Sequence, residues 1–530
     1  MSSEITSHLL NQKRTLICII ISIFFVYLIF SPSVNLLYYA SDDFRYALGG
    51  LHKSCSADDG FGFVKTLGRP IQAYLDCGSY KFGYTLERMR VLRLVSVVLM
   101  GFASGLLADL FCSLGFSLAG ALFTAGCVFL VPQLYDDAVS VGAIPLPLAI
   151  IFILAGYRCI GKSIVQVCLS ALLILLALLT YPAMAFFFGT LIFAKLLFSK
   201  LKDWQKTRQQ LIFEVILFLI VCFVYFAWAY HNIHHNAQSF VPPAYRLDHP
   251  NYKIAEILTR FFELGNVFSN LWIFFPSGNM RLQGLITIIL LSTGMIFGLI
   301  SFLKSKLYHY DRRVALFNLG QACIMAVIIF ILSNAFYLII PERQITSSRL
   351  LFGTMTAGLM LLFWCICQWT ILFPRNWRKL VTSVFIGLFF SLVAYKTNIF
   401  MLARALVYGQ YLDSIRTDIY DYLIAGKKLH RIHFIIPKPE YPYTRFFLAN
   451  AALIQQVGYG VYELKWCSLA RGVVGEEQDH QAESLACIKS LPSNGAGVTY
   501  SYQGEPYIKT SDMLVIERHV KSINYLTEYR

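Results

Sequence analysis

Apolar runs long enough to cross a membrane recur along this chain, separated by short polar segments. Spans are expected over 16–37, 91–111, 114–131, 138–157, 163–180, 182–199, 211–230, 282–303, 314–340, 350–373 and 380–400. That makes about eleven spans, each approaching the ~20 residues that a bilayer core requires. The uncharged stretch 163–194 is interrupted by Thr180-Tyr181-Pro182. A proline removes a backbone donor, so two helices are expected there rather than one. The first run, Leu16 to Leu37, carries no charge and lacks a small-x-small cleavage site, so it reads as a retained first helix.

The charges between spans support this segmentation. Alternate turns carry Lys13 and Arg14; Arg158 and Lys162; Lys200, Lys202, Lys206 and Arg208; Lys304, Lys306, Arg312 and Arg313; and Arg375, Arg378 and Lys379. Cytoplasmic loops collect Lys and Arg, so these turns are expected inside, with the N-terminus. If 163–194 were one helix, the next three clusters would fall outside. The large segments then face outward: a first loop over 38–90, a short loop near 132–137, an interfacial loop over 231–281 and a turn over 341–349. The loop 231–281 holds an apolar stretch, Phe268 to Phe275, too short to span. Residues 401–530 lack a further spanning run and are expected to fold as an outer domain behind the transmembrane region 1–400. The expected class is an all-α polytopic membrane protein.

Composition agrees. The 530 residues are 57% hydrophobic and only 14% charged, with a mean hydropathy of +0.58. Soluble domains carry about 25% charged residues. The net charge of +15 is partly topological, and the remainder suits anionic lipid or a phosphorylated ligand. No basic tract interleaved with aromatics suggests nucleic acid. Most of the thirteen cysteines are scattered, many within apolar spans where they act as small hydrophobes. Cys55 with Cys77, and Cys467 with Cys487, lie in polar regions and are candidate disulfides in an oxidising compartment. Cys365-Ile366-Cys367 sits within a span and reads as packing.

Directly after the first span comes Ser41-Asp42-Asp43-Phe44-Arg45. Carboxylates so near a membrane are costly to desolvate and point to function. In a helical turn Asp42 and Arg45 share a face, and such a carboxylate can take a hydroxyl proton as general base. The plainer alternative is a helix cap with an interfacial salt bridge. Gly68-Arg69-Pro70 holds an arginine between a flexible and a rigid residue, which suits a phosphate ligand but also an ordinary turn. Pro341-Glu342-Arg343 and Arg349 offer two more arginines for a lipid phosphate, weighed against headgroup snorkelling. Asp136 and Asp137 could line a cavity or bind a divalent cation, Mg²⁺ or Mn²⁺, although two acids do not make a metal site and exposed loop acids fit better. His231, His234 and His235 have near-ligand spacing without a completing residue, so no metal is assigned. There is no Walker A loop and no GxSxG elbow. The cytoplasmic loops are too short for a nucleotide-sugar domain, so a donor is expected to arrive through the membrane.

The first outer loop resembles a known family. A span followed by Asp42-Asp43-x-Arg45, then Gly49-Gly50 and Gly68-Arg69-Pro70, is similar to the Gtr-type O-antigen glucosyltransferases of serotype-converting bacteriophages, which belong to the GT-C superfamily. The close resemblance covers roughly the first 100 residues. It implies a GT-C-like enzyme of the bacterial inner membrane. It implies transfer of glucose from undecaprenyl phosphate-glucose to an O-antigen repeat of lipopolysaccharide at the periplasmic face. A flippase and a donor-making glucosyltransferase would then be partners. By position, Asp42 or Asp43 would be the catalytic carboxylate. Arg45, Arg69, Arg343 and Arg349 are placed at the donor phosphate on charge and topology, with Asp136, Asp137 and Glu342 as a second acidic set. Two rival readings are a transporter or flippase of a lipid-linked or anionic substrate, and an O-antigen polymerase or ligase.

Overall fold

The computed structural model describes residues 2–36, 60–83, 86–131, 144–161, 163–199, 204–236, 253–260, 291–298, 312–339, 352–374, 376–427, 431–436, 497–502 and 513–517, with a few single positions such as 55. The helices are α1 (Ser2–Asn35), α2 (Gly60–Thr66), α3 (Pro70–Phe82), α4 (Leu86–Ser113), α5 (Leu118–Phe129), α6 (Pro145–Cys159) and α7 (Ile164–Thr180). They continue with the short α8 (Pro182–Ala185), α9 (Phe187–Phe198), α10 (Trp204–Asn236), α11 (Arg312–Ile339), α12 (Phe352–Trp369) and α13 (Arg378–Ile424).

Among the described residues, six helices are long and apolar enough to cross a membrane, within α1, α4, α10, α11, α12 and α13. Four shorter apolar helices accompany them, Leu118–Phe129, Pro145–Cys159, Ile164–Thr180 and Pro182–Phe198. The chain is therefore a largely helical, polytopic membrane protein. Of the expected span 282–303, only parts are described, and these are helical.

The chain divides into two compact units. The first comprises residues 1–34, 55–79 and 91–401. Its helices sort their side chains as a bilayer demands. On α1, Leu16, Ile20, Phe24 and Leu28 recur every fourth residue and are exposed, whereas Cys18, Ser22, Val26, Ile29 and Ser33 are buried. The packed face carries the smaller and more polar groups because lipid solvates large apolar side chains as well as a protein core does. Close approach follows from this pattern. A Cβ on Gly101 or Gly105 of α4 would overlap the backbone of Ile23 or Ile19 of α1, so this G-x-x-x-G pair permits backbone contact. Elsewhere the hydroxyls of Thr190 in α9 and Thr356 in α12 lie 3.0 Å apart in the buried interior.

Polar contacts join helices at matching ends. At one end Asp109 of α4 receives Arg14 Nε of α1 at 2.7 Å and also bonds Arg158 of α6. At the same end Ser117 Oγ meets Ser383 Oγ at 2.6 Å, and Gln321 Oε1 of α11 accepts from Trp204 Nε1 and Arg208 of α10. Arg14, Arg158 and Arg208, from three of the expected basic turns, each take part in these contacts. At the other end Tyr181 breaks the backbone between α7 and α8 with φ −152° and ψ 96°, and Pro182 begins the return helix.

The second unit comprises residues 35–54, 80–90 and 402–530. Helix α13 runs for 47 residues, well past the expected end of the last span at 400. The apolar run stops there, but no proline interrupts the backbone, and the helix continues to Gly426, whose φ of +73° is the left-handed stop common at helix ends. Among the described residues three strands follow, β1 (Arg431–Ile436), β2 (Gly497–Tyr502) and β3 (Met513–Glu517). They form a parallel sheet in the order β2-β1-β3, with Arg431 opposite Gly497 on one side and Met513 on the other.

Candidate functional site

Asp42, Asp43, Arg45, Asp136, Asp137, Glu342, Arg343, Arg349, Cys467 and Cys487 lie outside the described residues. Among the expected phosphate ligands, Arg69 is described, and its surroundings are built by three local features.

The first is the turn that carries it. Helix α2 ends where Gly68 N donates to Lys65 O at 3.1 Å and Gly68 takes φ +78°. Only glycine adopts that conformation without steric cost. Pro70 opens α3 with its φ already helical, and Ala73 N donates to Arg69 O at 3.0 Å. Arg69 is therefore the N-cap residue of α3, restricted by the proline that follows.

The second is the wall behind the turn. Tyr225 of α10 is fully buried and donates its hydroxyl to Gly68 O at 3.0 Å. A Cβ on Gly68 would come 3.1 Å from that hydroxyl and 3.3 Å from Ala229 Cβ. Helix α10 thus fixes the turn from the bundle side.

The third is the platform. The Arg69 guanidinium lies 4.7 Å from the ring centroid of buried Tyr181, the residue that breaks α7 from α8. Such a cation–π contact contributes about 0.5–2 kcal/mol, more where water is excluded. Arg69 Nε is buried without a hydrogen-bond partner among the described residues. A planar, permanently charged donor held this way is suited to a phosphate or carboxylate.

Further buried polar groups belong to the same unit. One turn along α3, Gln72 Nε2 donates to Asp76 Oδ2 at 3.2 Å, and both residues are buried. Cys77 of α3 is disulfide-bonded to Cys55, with Cα atoms 5.8 Å apart. Arg260, nearly fully buried, donates to Tyr337 O at 3.1 Å at the C-terminal end of α11. There a cation meets carbonyls left over from the helix and the negative end of its dipole.

Comparison of the chain with models of known protein families, with curated proteins and with solved structures finds no match. The site therefore has to be read from its own chemistry.

His231, His234 and His235 occupy the last turns of α10, where His231 and His234 are exposed and His234 stacks on Tyr230 with rings 5.8 Å apart. Among the described residues no group of three or more His, Cys, Asp or Glu is placed to hold a metal ion. Sequence reasoning missed Tyr181 as the platform of Arg69, Tyr225 as its brace, and the polar roles of Gln72, Asp76 and Arg260. Tyr181 was visible only as part of a helix break. An aromatic residue beside a proline at a membrane face was the available signal.

Proposed function

We propose that the chain is a membrane-embedded glycosyltransferase that moves glucose from undecaprenyl phosphate-glucose to an O-antigen repeat unit of lipopolysaccharide. The observation that carries this reading is Arg69, a half-buried guanidinium clamped on Tyr181 whose Nε has no partner among the described residues, at the end of the bundle opposite the Arg14–Asp109–Arg158 cluster. A second support is the Cys55–Cys77 disulfide, since such bonds persist in oxidising compartments. With the first loop in the periplasm, the N-terminus and its basic turns lie in the cytoplasm of a bacterial inner-membrane protein.

The reaction follows from the residues. Asp42 or Asp43, by the family resemblance, accepts the proton of an acceptor hydroxyl. The hydroxyl oxygen attacks the anomeric carbon of glucose, and the bond to the lipid phosphate oxygen breaks with inversion. The electron pair of that bond stays on undecaprenyl phosphate. Arg69 faces the charge that accumulates there, a stabilisation that needs no reorganisation of solvent. Arg343 and Arg349 are assigned the same task.

The test is transfer of labelled glucose from the lipid donor to O-antigen by purified protein. Asp42→Ala and Asp43→Ala should insert normally while at least one abolishes transfer. Full activity in both variants would remove them from the mechanism. In cells, expression should add one hexose mass per O-antigen repeat.

A flippase or transporter is the second reading. The Lys195–Glu214 pair between α9 and α10 favours it, because buried ionisable groups within a bundle often mark a transport path. Flux of a lipid-linked sugar across proteoliposomes without covalent transfer would decide for it.

A further inference from the structure

Gln72 carries a second unmet hydrogen bond beside that of Arg69. Its residue exposure is only 8%, and its Oε1 is buried without a partner among the described residues. The orientation of its amide is chemically determined. The other end of the amide lies 3.2 Å from Asp76 Oδ2, and a carboxylate accepts hydrogen bonds, so that end must be the NH₂ group. Gln72 is thereby pinned with its carbonyl oxygen presented as an acceptor. Arg69 and Gln72 stand three residues apart on the first turn of α3, where side chains share a face with Cβ atoms about 5–6 Å apart. The first turn of a 13-residue helix also offers unpaired N–H groups and the positive end of its dipole.

Among the described residues the turn therefore leaves a donor on a cation and an acceptor on a neutral amide without partners. Buried polar atoms without partners are rare and call for a physical reason. The phosphate diester of a glycosyl donor satisfies the donor alone, because once ionised it has no hydrogen to give Gln72. A glycosyl phosphate satisfies both, with a phosphate oxygen on Arg69 and a sugar hydroxyl on Gln72.

We infer that Gln72, held by Asp76, is a specificity-determining residue that accepts a hydrogen bond from a hydroxyl of the sugar whose phosphate sits on Arg69. This rests on the reading of Arg69 as the ligand of the donor phosphate. Asp76 acts as a positioning residue. A site built around a hydroxyl penalises an analogue that lacks it, because the buried acceptor then stays unpaired.

The experiment measures binding to the detergent-purified full-length protein of undecaprenyl phosphate, undecaprenyl phosphate-glucose and the four donors deoxygenated at positions 2, 3, 4 or 6 of the sugar. In the unsubstituted protein one deoxy donor should bind about tenfold more weakly than the glucose donor. In Gln72→Met the glucose donor should weaken to match that analogue, and binding of undecaprenyl phosphate should be unchanged. Arg69→Met should weaken all six lipids together. Equal affinity for all five sugar donors in the unsubstituted protein overturns the inference without any variant. So does a Gln72→Met protein that still discriminates. An Arg69→Met protein that binds undecaprenyl phosphate normally overturns the phosphate reading itself and is distinguishable from both.

Discussion

Asn398 of α13 donates a 2.8 Å hydrogen bond to the carbonyl of Ile29 in α1, across 369 residues of sequence. Beside this bond lies Pro32, inside α1, which has no N–H to offer the carbonyl four residues back. That carbonyl belongs to Leu28, and it is met by Ser31 Oγ at 2.9 Å and by Asn398 at 3.4 Å. A polar side chain from one helix thus supplies donors that a proline removed from another, as exposed backbone in a membrane requires.

Asn398→Leu should therefore lower the thermal stability of the protein in detergent by about 1 kcal/mol, the usual scale for such bonds in membrane proteins. Pro32→Ala restores the missing helix donor. The double variant should consequently lose less than Asn398→Leu alone, and equal losses would show that the proline is not the reason for the contact.

Gly68→Ala should cost about 1–2 kcal/mol, since a residue with a side chain is strained in the left-handed conformation. Its new methyl group also comes 3.1 Å from the Tyr225 hydroxyl and 3.3 Å from Ala229 Cβ, which presses on the turn that carries Arg69. Donor binding should fall along with stability. Tyr225→Phe, which removes only the hydroxyl bond to Gly68, should cost about 1 kcal/mol and leave the turn in place. Melting curves and donor titration on the same samples separate the two effects.

Joining Cys55 to Cys77 closes a loop with a sequence separation of 22. By chain entropy such a closure contributes about 3 kcal/mol. Reduction, or Cys55→Ala with Cys77→Ala, should lower stability by that order. Alkylation before and after reduction, read by mass, should show two thiols appearing together.

Asp109→Ala should cost about 1.5–3 kcal/mol, because it removes the charged partner of two partly exposed arginines. Replacing the whole cluster, with Arg14→Met, Asp109→Leu and Arg158→Met, should recover much of the loss. Failure of that recovery would mean the cluster does more than balance its own charges.

The apolar runs and the break at Tyr181-Pro182 were legible because both depend on local composition. The Asp109 cluster was not. Arg14 and Arg158 could be read as basic turns, but nothing local says that a carboxylate 95 residues from the first and 49 from the second joins them. The length of α13 was hidden for a different reason, since hydropathy marks where lipid ends and not where a helix does. The sheet was also invisible, because β1 pairs with strands far along the chain and no turn chemistry connects parallel neighbours. At the site, Gly68-Arg69-Pro70 was legible as a motif, whereas its platform came from a residue 112 positions away at a break noted for its proline.

The glycine pair at Gly101 and Gly105 bears on the order of events during synthesis. Its partner α1 precedes α4 in the chain, and both come before the other long apolar helices described here. Two helices that meet backbone to backbone can pack on each other before later helices add their contacts. Gly105→Leu would then act at birth, trapping the nascent chain before its later segments arrive, and its signature would be rapid degradation rather than a lowered melting temperature.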